Sequence, residues 1–226
     1  RRRKDPESHR EAARLLQKPA AVGMPRAQYL LGVCYETGDG VEKKPRYAAY
    51  MYHRAALQGH PEAMLRLGIC YETGVGTEKD PAIAANLYRR AAEGGYPMGR
   101  CNLGVMYFFG QGVEKDLKKA AYCFAQAAEQ RLPRAQYLLG VCCEFGDGVE
   151  QDVSRALALY REAAGAGYPD AQCALGVLHH QGKGVDQDDR EAVRLFRQAA
   201  ELLGQLPGLL AGLPGMTEDL RQRLED

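Results

Sequence analysis

Residues 63–97 read AMLRLGICYETGVGTEKDPAIAANLYRRAAEGGYP. Taken alone, Gly74-Val75-Gly76 with Lys79 close behind suggests a loop that cradles phosphate. The same wording has already occurred, as CYETGDGVEKKP over residues 34–45, and recurrence turns the question from chemistry to architecture. Gly32, Gly68, Gly104, Gly140 and Gly176 stand 36 residues apart, and each follows a leucine. The prolines Pro25, Pro61, Pro97, Pro133 and Pro169 keep the same step, as do the Gly-x-Gly pairs at 38/40, 74/76, 110/112, 146/148 and 182/184. A fixed period of this length is the mark of a stacked array, because one such unit cannot bury its own apolar surface.

Each unit carries two helical patterns. In the first, helix A, Ala63, Met64, Leu67 and Tyr71 recur at three- and four-residue steps behind Pro61, a residue favoured at a first helical position. In the second, helix B, Ala84, Leu87, Tyr88, Ala91 and Ala92 form one apolar stripe; Asp80 supplies an N-cap oxygen and Gly95 the left-handed stop. A glycine inside a helix costs about 1 kcal/mol relative to alanine. Gly68 and its equivalents therefore predict a neighbouring helix backbone lying against them, with Tyr52, Tyr88, Phe124, Tyr160 and Phe196 filling the wider gaps.

The nucleotide reading fails on spacing. A dinucleotide fingerprint requires a third glycine three residues after the second, a strand before it and a helix opening within it. Those positions hold Lys43, Lys79, Lys115, Gln151 and Gln187, and the preceding segment is helical. The Gly-x-Gly is expected to be the turn between helices A and B, where glycine adopts positive φ at little steric cost.

Composition excludes further classes. The chain has 226 residues, of which 46% are hydrophobic and 26% charged, enough to build a core. Thirty Lys and Arg against 29 Asp and Glu give no field that would draw it to nucleic acid or to anionic lipid. No apolar run approaches the ~20 residues of a membrane span. The seven cysteines show no Cys-x-x-Cys, and Cys34, Cys70 and Cys142 fall at one repeat position, so they read as buried thiols in a reducing compartment, the cytoplasm.

Catalytic and metal-binding constellations do not assemble either. His179 and His180 are adjacent, hence about 100° apart on a helix, and His179 stands where Tyr35, Tyr71 and Tyr107 stand. Cys143 occupies that same position and has no traceable base, and Glu36, Glu72 and Glu144 form a ladder of equals that separates no acid from a nucleophile. No cofactor, metal or enzymatic activity is expected.

The stretch quoted above resembles the Sel1-like repeat, a relative of the tetratricopeptide repeat, with Ala, Leu-Gly, Tyr, Gly-x-Gly, the capping Asp and Ala-Ala at matching offsets. The resemblance runs through five units and implies an all-α fold, an αα-superhelix (solenoid), working as a non-enzymatic protein-binding scaffold. The units are residues 25–60, 61–96, 97–132, 133–168 and 169–204, with a tail and capping helix over 1–24 and a Gly/Pro linker with a short helix over 205–226. Four departures from the pattern carry expectations. Lys44 replaces the capping Asp, so its helix should fray at the start; Arg131 replaces the stop glycine and puts that left-handed end in doubt. Pro19 should kink or shorten the helix of 1–24, and Thr217 is placed to cap the terminal helix.

In the related architecture helix A lines the concave face, and that correspondence selects the residues free for recognition. They are Tyr29 and Glu36 in the first unit, Leu65 and Glu72 in the second, and Cys101, Phe108 and Phe109 in the third. The fourth supplies Tyr137, Glu144 and Phe145, and the fifth His180. Phe108, Phe109 and Phe145 are three of only five phenylalanines and suggest an apolar anchor site flanked by glutamates. The expected partner is a protein or peptide segment with an apolar anchor and basic flanks. Packing of these phenylalanines against the next unit is the competing account. Two other functions stay open: β-lactam binding or hydrolysis, known for relatives with paired cysteines that this chain lacks, and a structural or self-assembling array.

Overall fold

The computed structural model describes residues 6–203, which form eleven helices and, among the described residues, no strand. They divide into two compact units, one up to Asp116 and the other from Leu117 on. The boundary falls inside the third repeat, between its two helices.

The first unit holds α1 (Pro6–Ala21), α2 (Pro25–Thr37), α3 (Pro45–Leu57), α4 (Pro61–Thr73), α5 (Pro81–Glu93) and α6 (Pro97–Phe109). Helices α2 and α3 form one hairpin and α4 and α5 the next, and each helix B also packs on the following helix A. The second unit holds α7 (Leu117–Ala128), α8 (Pro133–Phe145), α9 (Val153–Gly165), α10 (Pro169–Gln181) and α11 (Asp189–Leu203), stacked in the same order.

The punctuation of the sequence sets these boundaries. Proline opens every helix A, where its missing N–H costs no bond. Each helix A ends on a left-handed glycine, Gly38, Gly74, Gly110, Gly146 or Gly182, with φ between 64° and 86°. The chain then returns so that the residue before helix B donates its N–H to the carbonyl of the tyrosine position: Lys44 to Tyr35 at 2.8 Å, Asp80 to Tyr71 at 2.8 Å, Asp152 to Cys143 at 2.8 Å. The Asp80 carboxylate accepts from the N–H groups of Ala82 and Ile83, and the Asp188 carboxylate from those of Arg190 and Glu191. Lys44 provides α3 with no such side-chain bond.

Three expectations require correction. The helix-A glycine is approached chiefly by a ring: a methyl group at Gly68 would lie 2.4 Å from the Tyr88 ring, one at Gly32 2.6 Å from Tyr52, and one at Gly140 2.6 Å from Tyr160. The missing side chain makes room for the helix-B aromatic, so the two recurring features are one contact. Arg131 keeps the left-handed conformation with φ 57°, the one non-glycine among the described residues with positive φ, because its N–H still closes the turn onto Ala128. Pro19 does not shorten α1, which runs on to Ala21, and its own carbonyl accepts the Met24 N–H at 3.0 Å. The expected capping by Thr217 lies outside the described residues.

The second glycine of each turn has a role of its own. A methyl group at Gly76 would meet the Pro45 carbonyl oxygen at 2.3 Å, and one at Gly148 the Leu117 carbonyl oxygen at 2.0 Å. Each turn is thus pressed onto the start of the preceding repeat's helix B, and the Gly-x-Gly joins repeats as well as helices.

Candidate binding face

The recognition residues assigned from sequence sit on helices A, and burial divides them sharply. Cys101 is fully buried and Leu65 is 9% exposed, so neither offers surface to a partner. Tyr29 is half-buried, stacked on His60 at 5.0 Å and tilted against Tyr52 at 6.0 Å. Tyr137 repeats this arrangement in the second unit, against Tyr160 at 5.8 Å and Tyr168 at 5.6 Å.

The glutamates are engaged within the fold. Glu36 accepts from the Tyr52 hydroxyl, Glu72 from Tyr88 at 2.5 Å and Glu144 from Tyr160 at 2.9 Å. Two of them also meet a cation from the next repeat: Arg66 Nη1 lies 3.2 Å from Glu36 and Lys183 Nζ 2.8 Å from Glu144. Burial and the bonded carboxylate both push the Tyr52 and Tyr160 phenols upward, so the hydroxyl stays protonated and donates. Where the sequence suggested a row of free negative charge, the structure has hydrogen-bonded pairs holding helix A to helix B. His180 is likewise taken up, with Nδ1 2.7 Å from Asp189.

The phenylalanines differ from all of these. Phe109 is 63% exposed and Phe145 62% exposed. Both stand at the last position of a helix A, where the first two repeats carry Thr37 and Thr73, whose hydroxyls donate to their own helix carbonyls. Phe108 is half-buried and meets Phe109 edge-on at 5.1 Å, and Lys183 Nζ lies 5.4 Å from the centre of the Phe145 ring. Phe108 and Phe109 belong to one unit and Phe145 to the other.

One set of polar contacts escaped the sequence reading. The fourth residue of helix A reaches the end of the preceding helix B: Gln28 donates to the Ala20 carbonyl at 3.1 Å and Arg100 to that of Ala92 at 2.9 Å. Gln136 instead donates to Glu162 at 2.7 Å. Met64 stands at this place in the second repeat, and there Arg90 serves the Ala56 carbonyl from the far side, at 3.4 Å. The recurrence of Gln at 28, 136 and 172 was the available signal. It has a structural meaning, since a buried amide must find partners.

Burial keeps the thiols of Cys34, Cys70, Cys142, Cys143 and Cys173 in the protonated form. Burial raises all those with a resolved shift: Cys70 and Cys173 are pushed up to about 11 and Cys142 to about 12. Among the described residues no group of three His, Cys, Asp or Glu side chains converges to hold a metal ion. No helix of the described residues is long and apolar enough to cross a membrane.

Serial helical hairpins with a constant 36-residue register define a helical repeat protein of the all-α solenoid class. Residues 25–60, 61–96, 97–132, 133–168 and 169–202 each match the Sel1 repeat, and the chain belongs to that family. A protective antigen present in uropathogenic Escherichia coli strains is 34% identical with a TM-score of 0.78; the match covers 88% of this chain and 42% of that one. A Sel1 repeat protein from Oxalobacter formigenes is 30% identical with a TM-score of 0.83, over 97% of this chain and 91% of that one. An immunity protein from Pseudomonas aeruginosa, at 24% identity and a TM-score of 0.55 over 89% of this chain and 79% of its own, shares the fold. No curated protein matches the chain. Sel1 repeat proteins are in general protein-interaction scaffolds, and the fold is typically non-catalytic.

Proposed function

We propose that this protein is a non-enzymatic interaction scaffold that receives an apolar side chain of a partner protein segment on the helix-A face, at Phe109 in one unit and at Phe145 in the other. The observation that carries this reading is the exposure of those two rings. Each occupies a place where other repeats use threonine to satisfy their own backbone, and each leaves more than half of its surface in water. Removing a ring of this size from water on binding stabilises a complex by roughly 1–3 kcal/mol. The half-buried Phe108 under Phe109 and the Lys183 ammonium beside Phe145 give the two sites different neighbours, one purely apolar and one able to hold an acidic or carbonyl group beside the anchor.

Because Glu36, Glu72 and Glu144 are committed to tyrosine hydroxyls, and Glu36 and Glu144 also to a cation, basic flanks on the partner form no part of this reading. The seven cysteines, six of them buried and none in a disulfide, support work in a reducing compartment.

The test compares proteins retained from lysate by the wild type, by Phe109→Ala/Phe145→Ala, and by Tyr122→Ala, which removes an equally exposed ring from helix B. A partner lost with the double variant and kept with Tyr122→Ala, at unchanged Tm, is the expected result. Equal retention by all three would remove the basis for the proposal.

A further inference from the structure

Helix α3 packs on α2 and α4 through Ala48, Ala49, Tyr52, Ala55 and Ala56 and turns its opposite face to water. Arg46, Tyr47, Tyr50, Arg54 and Leu57 fall at the steps of one helical stripe on that open face. Tyr47 is 57% exposed, Tyr50 55% and Leu57 66%. Lys43 and Lys44 stand in the turn just before the helix.

The charge of this stretch sets it apart from its counterparts. Residues 43–57 carry four cations, Lys43, Lys44, Arg46 and Arg54, and no aspartate or glutamate. In each of the four later repeats the equivalent stretch holds at least two acidic residues, beginning with the aspartate at the Lys44 position. The nearby carboxylates leave most of this charge open. Glu42 pairs with Lys44 at 2.8 Å, while Lys43 and Arg46 enter no ion pair among the described residues. The two rings are braced from within: Tyr47 is tilted against Tyr35 at 5.6 Å, and the Arg54 guanidinium lies 6.0 Å from the centre of the Tyr50 ring. A cleft of about 860 Å³ opens at the start of the stripe. Lys43, Lys44, Arg46 and Tyr47 line one side of it, and the turn of the second repeat, Gly74 to Glu78, lines the other, with the Glu78 carboxylate among its walls.

We infer that this face of α3 binds an acidic protein segment, whose carboxylates meet Lys43, Lys44 and Arg46 at the cleft and whose aromatic side chain lies on Tyr50. Charge complementarity selects the occupant, since four cations unrelieved by any acid of their own helix attract carboxylates and repel basic segments. Size and net charge favour a peptide over a nucleic acid. A helix of 13 residues is about 20 Å long, which about six residues of extended chain would span. The whole protein has a net charge of +1, so a longer polyanion would run past these cations onto surface with no excess of positive charge. The face lies on a helix B of the first unit and does not depend on the phenylalanine sites.

The probe is a fluorescein-labelled peptide of the repeating triplet Glu-Glu-Phe, about six residues long, titrated with the full protein at low salt. Anisotropy should saturate, and the midpoint should move to higher protein concentration as salt is added. Lys44→Asp/Arg46→Ala installs the residue types that the second repeat has at Asp80 and Ala82. It should lower affinity about tenfold or more without lowering Tm, because a helix cap is gained where a cation is lost. Tyr50→Asn, after Asn86 of the second repeat, should lower affinity about threefold or more. Arg155→Asp/Arg161→Ala makes the same change in net charge on α9 and should bind as the wild type does. Absence of saturation at millimolar peptide would overturn the inference, as would unchanged binding by either α3 variant or an equal loss in the α9 variant. Tighter binding of a uridine hexanucleotide than of the peptide would overturn it by making nucleic acid the occupant.

Discussion

At the scale of single residues, the contact that defines each repeat is an absent side chain under an aromatic ring. Gly68→Ala should gain about 1 kcal/mol of helix propensity, yet the added methyl would stand 2.4 Å from the Tyr88 ring. Forcing atoms into a packed core costs about 1–3 kcal/mol, so the variant is expected to unfold at a lower temperature than the wild type. An unchanged or higher Tm would mean that the ring moves aside freely. The tyrosine–glutamate bond makes a second prediction. Tyr88→Phe leaves the Glu72 carboxylate without its phenol donor and should cost about 1–2 kcal/mol in urea unfolding. Tyr88→Phe/Glu72→Phe puts at both positions the residue type that the third repeat's sequence has there, Phe124 and Phe108. The double variant should recover most of that loss, because replacing both partners by apolar groups strands neither.

At the scale of the helix, the two departures in the repeat pattern mark places where stability can be added. Helix α3 begins at Lys44 without a side-chain cap, whereas the Asp80 carboxylate caps α5 with two bonds. Lys44→Asp should stabilise the first unit by about 1 kcal/mol through capping, less the exposed Lys44–Glu42 pair, worth at most about 1 kcal/mol. Arg131→Gly relieves a left-handed non-glycine residue and should add about 1 kcal/mol. Guanidinium melts of the two single variants and their combination would check both values. The sites lie in separate units, so additivity is expected. Both departures were legible as sequence anomalies. What the sequence could not tell was how the fold would respond: Arg131 adopts the left-handed conformation and still closes the turn onto Ala128, and α1 runs past Pro19 to Ala21.

At the scale of the whole molecule, pH should reveal how deeply the thiols are held. Cys70 and Cys173 are pushed up to about 11 and Cys142 to about 12, from an ordinary value of 9.0. Above pH 9 the unfolded chain therefore releases these protons while the folded chain keeps them, and stability falls as pH rises. The stabilisation is complete below pH 9 and is lost progressively up to pH 11–12. Urea midpoints measured from pH 7 to 11 should decline beyond pH 9, and native protein should react slowly with a thiol reagent at pH 8. Rapid labelling of several cysteines in the folded state would contradict the burial.

The sequence by itself determined the period, the two helices of each repeat, their caps and their apolar faces. These depend on spacing and on backbone chemistry that proline, glycine and aspartate carry wherever they stand. It also nominated Phe109 and Phe145, through their rarity and their place in the repeat. Only the tertiary structure decided which nominated residues are free. A helix-A position can look outward in a repeat diagram and still be closed by the neighbouring helix, as Cys101 is, or have its charge engaged across the hairpin, as Glu36 and Glu144 are.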